Sequence, residues 1–154
     1  MNKERSSSAQ AASEKFAAGY RCAEAILTVY GERVGLAPGQ AMKLGCAFGG
    51  GLGSCGDVCG AVTAVIMILG LKYGRTDKDD AGKRTATDAK VREFLIRFRA
   101  AHGHLRCNDL VGFDRSTPEG HEKAAAAGVF KRICPELVMD ASLILEDLLR
   151  AETV

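Results

Sequence analysis

The sequence lacks the patterns that strands and membrane spans need. It contains no tryptophan, few aromatic residues and almost none of the apolar-polar alternation that is typical of strands. Its longest nearly continuous apolar run, residues 58–71, is shorter than the roughly 18 residues that a membrane span requires. These absences argue against a sheet-based fold and against a membrane-spanning helix.

Charge of one sign is also not in excess. Lysine and arginine number 21 against 19 acidic residues, which gives a formal net charge of +2. Such a balance argues against nucleic acid or an acidic lipid surface as a partner. Residues 1–16 are polar and carry no signal-peptide pattern, so we expect a cytoplasmic protein. In that compartment the six cysteines are expected to be reduced thiols, metal ligands or redox groups.

The length and the 47% hydrophobic content indicate a single domain over residues 1–154, with residues 1–8 flexible. Helical spacing of apolar residues recurs along most of the chain. It predicts an all-α, compact bundle of about five to six helices around a central apolar helix at about residues 55–73. Ser54 and Asp57, three residues apart, are typical of a capping pair at the start of that central helix.

Further helix boundaries follow from local signals. Thr76 is expected to begin a long charged helix that Gly103 ends, and Cys134-Pro135 is expected to open the last helix. The other expected elements are a first helix capped within Ser6 to Ser8, a second from about residue 22 to 34, a third beginning at Pro38, a short one at 107–111, and another from Thr117 to Gly128.

Four of the five residues 49–53 are glycines. This predicts a loop, because each glycine costs a helix about 1 kcal/mol relative to alanine. Residues 51–56 also satisfy the pattern G-x-G-x-x-G. A dinucleotide-binding fingerprint must follow a strand, whereas a helix is expected here, so we favour close packing between neighbouring helices as the role of these glycines.

The six cysteines are the main chemical signal, and no two of them form a Cys-x-x-Cys pair. This excludes thioredoxin-type dithiols, zinc ribbons and the usual ferredoxin spacings, so any shared site must be assembled by the tertiary fold. The partial positive charge at a helix start lowers the pKa of a nearby thiol, so several thiolates are expected. The cysteines at expected helix starts are Cys22, Cys55, Cys59 and Cys134.

Several segments share their pattern with one bacterial family. They are Gly19-Tyr20-Arg21-Cys22-Ala23, Gly45 to Gly53, Cys59 to Ala64, Gly70 to Gly74, and the single positions Cys107 and Cys134. Together they resemble the family named for its C_GCAxxG_C_C pattern, over about residues 16–149. The resemblance implies a redox-active protein with four characteristic cysteines, which correspond here to Cys22, Cys59, Cys107 and Cys134. Cys46 and Cys55 are additions to those four.

Two histidines lie close in sequence to one of these thiols, within the stretch His102 to Cys107. Imidazole and thiolate together suit zinc or iron. A histidine followed by glycine is also typical of a helix end, which is the interpretation we favour for His102. His104 stays a candidate substitute ligand near Cys107. His121 is expected to be exposed, and nothing indicates a hydrolase.

Three functions follow from these observations. The first is a redox or electron-transfer protein that binds an iron-sulfur cluster, serves an unidentified redox partner protein and acts as a component of an oxidoreductase. Its ligands are Cys22, Cys59, Cys107 and Cys134, with Cys46 and Cys55 as secondary candidates. The second is a cofactor-free thiol-disulfide protein or sensor that uses Cys59 or Cys22 as its thiolate. The third is a structural zinc site in an interaction protein, with the central helix continuing into a homodimer contact.

Overall fold

The computed structural model describes residues 6–151, and over that range the chain forms eight α-helices, one short 3-10 helix and no strand. The helices are α1 (Ser7–Ala17), α2 (Cys22–Tyr30), α3 (Pro38–Phe48), α4 (Gly60–Tyr73), α5 (Ala81–His102), α6 (Cys107–Val111), α7 (Pro118–Ala126) and α8 (Val129–Arg150). The 3-10 helix, Gly31–Val34, follows α2 directly. The predicted all-α class is confirmed, although the helices outnumber the five to six expected.

One main hydrophobic core joins six of these helices, α1 to α5 and α8. It contains Tyr30 from α2, Ile68 from α4, Phe94 from α5 and Leu145 from α8, all fully buried. Helix α8 presents a continuous apolar stripe to this core, and it packs against α1, α2, α4 and α5. No helix within residues 6–151 combines the length and the hydrophobicity needed to cross a bilayer.

Several helix ends form where local signals predicted them. The Ser6 hydroxyl accepts a hydrogen bond from the Ala9 amide at 3.0 Å and so caps α1. Pro38 is the first residue of α3, and Gly103 ends α5 with a φ of 81°. The flexibility predicted for residues 1–8 falls, for residues 1–5, outside the described part of the chain. Ser7 and Ser8 belong to α1.

The helix predicted at residues 55–73 is shorter than expected. It begins at Gly60 with Cys59 as its N-cap, so Cys55 lies in the preceding loop. The predicted Ser54 cap is wrong because Ser54 has a φ of 65°, whereas an N-cap residue adopts an extended conformation. Burial of this helix on every side is not confirmed, since Leu71 is 49% exposed.

The last two long helices also begin elsewhere than predicted. Helix α5 begins at Ala81, because the carboxylate of Asp80, and not Thr76, accepts a hydrogen bond from the Lys83 amide. Helix α8 begins at Val129, so Pro135 lies inside it and Cys134 lies in its second turn. Proline lacks the amide that this helix would otherwise use, and burial of the apolar residues on both sides of it sustains the helix.

Candidate functional site

Four of the six cysteines line a single cavity of about 210 Å³. They are the four that the family resemblance singled out: Cys22, Cys59, Cys107 and Cys134. Cys59 and Cys107 are buried, and Cys22 and Cys134 are half-buried. The rest of the wall is mostly apolar and includes Phe16, Val111, Phe130 and Leu137. The fold thus gathers four thiols that are far apart in the sequence.

The other two cysteines lie outside this cavity. Cys46, on α3, and Cys55, in the loop before α4, are both exposed. Cys55 borders a separate outer groove together with Arg115 and His121. Cys55 does not begin a helix as predicted and does not share a helix face with Cys59, because the chain between them is not helical.

Each cavity cysteine is placed by the start of a helix or by the packing of a long one. Cys22 is the first residue of α2, Cys59 is the N-cap of α4 and Cys107 is the first residue of α6. Cys134 reaches the cavity from α8. A helix start fixes the direction of its first side chain, so three of the four thiols are oriented by backbone geometry.

Two backbone segments cross where Cys59 and Cys107 meet. The Cys59 amide donates to the Leu105 carbonyl at 2.8 Å, and the Cys107 amide donates to the Asp57 carbonyl at 2.7 Å. The neighbouring Asn108 amide donates to the Gly56 carbonyl at 3.0 Å. We call this pair of segments, 56–59 and 105–108, the loop crossing. It holds two thiols side by side although they are remote in sequence.

Two glycines make room for sulfur atoms at the site. A Cβ at Gly60 would lie 2.4 Å from the Sγ of Cys22, and one at Gly51 would lie 2.8 Å from the Cβ of Cys107. Gly51 also has a φ of 74°, which few other residues adopt. Close helix packing, the role predicted for the glycines of residues 51–56, is instead seen at Gly45 on α3, whose Cβ would lie 2.6 Å from the Cα of Glu24 on α2.

An arginine that the sequence analysis did not single out holds the glycine-rich loop. Arg21 Nη1 donates to the Cys46 carbonyl at 2.7 Å, and its Nη2 donates to the Gly49 carbonyl at 2.8 Å. The loop needs such support because Gly50 through Ser54 all have positive φ, including Leu52 at 59°. The sequence position of Arg21, directly before Cys22, was the one signal that could have indicated its role.

The cavity raises the pKa of three of its thiols. Burial raises the pKa of Cys59 well above its usual value, and the neighbouring Cys22 raises it further. Burial likewise raises the pKa of Cys107, although Arg115 opposes this effect, and it raises the pKa of Cys134 to about 12. The expectation of a lowered thiol pKa is therefore wrong for Cys59 and Cys134. Desolvation outweighs the helix-start amides of Ala61 and Val62 that donate to Cys59.

The histidines do not join the cysteines. His102 Nε2 lies 3.1 Å from the carboxylate of Asp140, and its ring stacks on Phe98 at 4.7 Å, as befits a helix end. His104 lines another surface groove, and His121 is exposed beside Phe130. Across residues 6–151, no three His, Cys, Asp or Glu side chains are placed to hold a single metal ion.

Replacing Gly60 with alanine tests the close contact with Cys22. The new Cβ would overlap Cys22 Sγ, so Gly60→Ala is expected to destabilise the protein by about 1 to 3 kcal/mol, the usual cost of overpacking. Gly70→Ala on the same helix is the matched control, because its Cβ meets nothing within 4 Å and should add up to about 1 kcal/mol of stability. Urea unfolding measures both, and equal stability of the two variants would contradict the contact.

Raised thiol pKa values are expected to make the metal-free protein less stable as the pH rises through the alkaline range. Thiols of the unfolded chain ionise near pH 8.5, whereas Cys134 in the folded chain stays protonated to about pH 12. The unfolded state therefore binds fewer protons in this window, and stability falls as the pH rises, by at most about 1.4 kcal/mol per pH unit for each such thiol.

Urea unfolding between pH 8 and 11 measures this dependence. Cys134→Ser is expected to flatten it, whereas Cys55→Ser, which changes an exposed thiol, is expected to leave it unchanged. Identical pH profiles for the wild type and Cys134→Ser would show that the Cys134 thiol is not protected.

All four cavity cysteines lie within the part of the chain that matches a known family. The family model described as "Putative redox-active protein (C_GCAxxG_C_C)" matches residues 20–148, a span that includes all four cavity cysteines. No curated protein and no solved structure matches the chain. The match covers most of the sequence, and the chain belongs to the C_GCAxxG_C_C family.

Proposed function

We propose that the protein transfers electrons and that its four cavity cysteines bind an iron-sulfur cluster as thiolates. The observation that carries this proposal is the selective gathering of thiols: four line one cavity, and the remaining two are exposed outside it. Thiolates are the ordinary ligands of such clusters, four of them to each cluster. The family description as redox-active supports the same class of function.

The donor set fits soft metals, since the cavity wall contains four thiols and neither histidine nor carboxylate. A single zinc ion is less well suited to the cavity, because no three donors within the described residues are placed to hold one ion. Tetrahedral zinc needs its four sulfurs about 3.8 Å from one another, given zinc-sulfur bonds near 2.3 Å. A cluster spreads its ligands over several iron atoms and so accepts wider separations.

The same cavity is poorly suited to thiol-disulfide exchange by itself. The attacking species in exchange is a thiolate, and burial raises the pKa of Cys59, Cys107 and Cys134. Neutral buried thiols react slowly. A bound cation removes this obstacle, because positive charge stabilises the thiolate form that burial disfavours.

Other residues of the cavity support this role. The amides of Ala61 and Val62 donate to Cys59, and Arg115 donates to Cys107, so hydrogen bonds would stabilise charge on these sulfurs. Phe16, Phe130 and the other apolar wall residues limit contact with water. A bound cluster would supply one-electron transfer to a redox partner protein. A cytoplasmic location suits free thiols of this kind, and all six cysteines are free.

Anaerobic purification followed by iron and sulfide analysis tests the proposal. The wild type, isolated or reconstituted with ferrous iron and sulfide, is expected to show broad visible absorption together with bound iron and acid-labile sulfide. Serine substitution of Cys22, Cys59, Cys107 or Cys134 is expected to reduce the bound iron at least several-fold, because each removes a thiolate ligand.

The chain provides matched controls for this experiment. Cys46→Ser and Cys55→Ser change exposed thiols outside the cavity and are expected to keep wild-type iron content. A colourless protein with stoichiometric zinc would overturn the proposal in favour of a structural zinc site. Metal-free protein with titratable thiols after reconstitution would overturn it in favour of a thiol-disulfide protein.

A further inference from the structure

Arg115 stands in the loop between α6 and α7, and α6 fixes its backbone. The Arg115 amide donates to the side-chain oxygen of Asn108 at 2.9 Å, and the Asn108 side-chain nitrogen donates to Asp114 at 3.0 Å. Asn108 is the residue after Cys107. The loop is therefore tied to the helix start that presents Cys107 to the cavity.

The guanidinium of Arg115 lies against the sulfur site. Its Nη1 is 3.8 Å from Cys107 Sγ, and its Cζ is 4.7 Å from the centre of the Phe130 ring. A Cβ at Gly50 would lie 3.0 Å from Cζ, so the absence of a side chain there lets the loop approach the guanidinium closely. Stacking on one side and the glycine loop on the other hold the charge in place.

No carboxylate neutralises the positive charge of the Arg115 guanidinium. Across residues 6–151 Arg115 forms no ion pair, and the cavity wall includes no acidic side chain. Its Nε is buried without a hydrogen-bond acceptor. The other cavity arginine, Arg21, is instead occupied by the carbonyls of Cys46 and Gly49. The cavity wall includes no carboxylate, and the sulfur of Cys107 is the group within contact distance of Arg115 that can carry an anionic charge.

We propose that Arg115 is the positioning residue that sets the reduction potential of the cysteine site, by stabilising its more negative, reduced state. This inference rests on the proposed function. Reduction of a bound cluster adds one electron and one negative charge, with no bond made or broken in the protein. A fixed cation with an N–H directed at a ligand sulfur favours that state, and its removal disfavours it.

Redox titration of the reconstituted protein with dithionite and mediators, followed by visible absorption, tests this role. At a fixed potential, Arg115→Gln is expected to lower the ratio of reduced to oxidised site about tenfold, which is a 59 mV lower midpoint for a one-electron couple. Arg115→Lys keeps the charge and is expected to lower the ratio less than threefold. It also serves as the second variant should the glutamine protein fold poorly.

Arg132→Gln is the matched control, because Arg132 lies two residues before Cys134 on α8 but is exposed and borders a groove outside the cavity. It is expected to leave the ratio within twofold of wild type. A wild-type midpoint in Arg115→Gln with full iron content would overturn the inference and leave Arg115 a purely structural role. A shift of equal size in Arg132→Gln would overturn it too, because any nearby charge would then suffice.

A second readout separates this inference from the proposed function. If the wild type takes up no iron, the cluster proposal fails, and the ratio of dithiol to disulfide in the cavity is measured in glutathione buffers. Arg115→Gln is then expected to shift that ratio toward disulfide, since the reduced sulfur of Cys107 loses the N–H that Arg115 directs at it. An unchanged ratio, or the absence of any cavity disulfide, would overturn the Arg115 inference.

Discussion

The cavity depends first on the loop crossing between residues 56–59 and 105–108. Three backbone hydrogen bonds join these segments, and they hold Cys59 and Cys107 near each other although the two lie 48 positions apart in the sequence. Helix α4 then runs from the crossing into the core, while α6 packs against α8. Backbone pairing of this kind is insensitive to which side chains surround it, so a site built on it is placed by main-chain geometry and tuned by side chains.

Charge is the second constraint, and it opposes the first. Gathering thiols in an apolar cavity keeps them neutral, because burial disfavours the thiolate and each neighbouring sulfur adds repulsion. The groups in the cavity wall that can stabilise negative charge are Arg115, which has no carboxylate partner, and a few amides at helix starts. One guanidinium does not balance four thiolates, so the arrangement is chemically consistent either with neutral thiols or with thiolates that share additional positive charge.

Local signals in the sequence were sufficient where one residue type determines the backbone. Pro38 and Gly103 bound helices as predicted, because the fixed φ of proline and the left-handed φ of glycine act within a single turn. The same logic failed at Pro135, where tertiary packing outweighs the local cost of a proline inside a helix. Arg115 had no sequence signal for its role, and Arg21 had only its position beside Cys22, since the partners of both lie in other segments of the chain.

The failed prediction at residues 55–59 identifies how the site is made. A regular helix from Cys55 would stack that thiol on Cys59 along one face. Instead, residues Gly50 through Ser54 adopt left-handed conformations. Each non-glycine residue among them destabilises the fold by about 1 to 2 kcal/mol. The hydrogen bonds of Arg21 and of the loop crossing hold the loop in this strained conformation. As a result Cys59 lines the cavity at the start of α4 while Cys55 stays outside, so the exclusion of Cys55 from the site is built into the backbone of this loop.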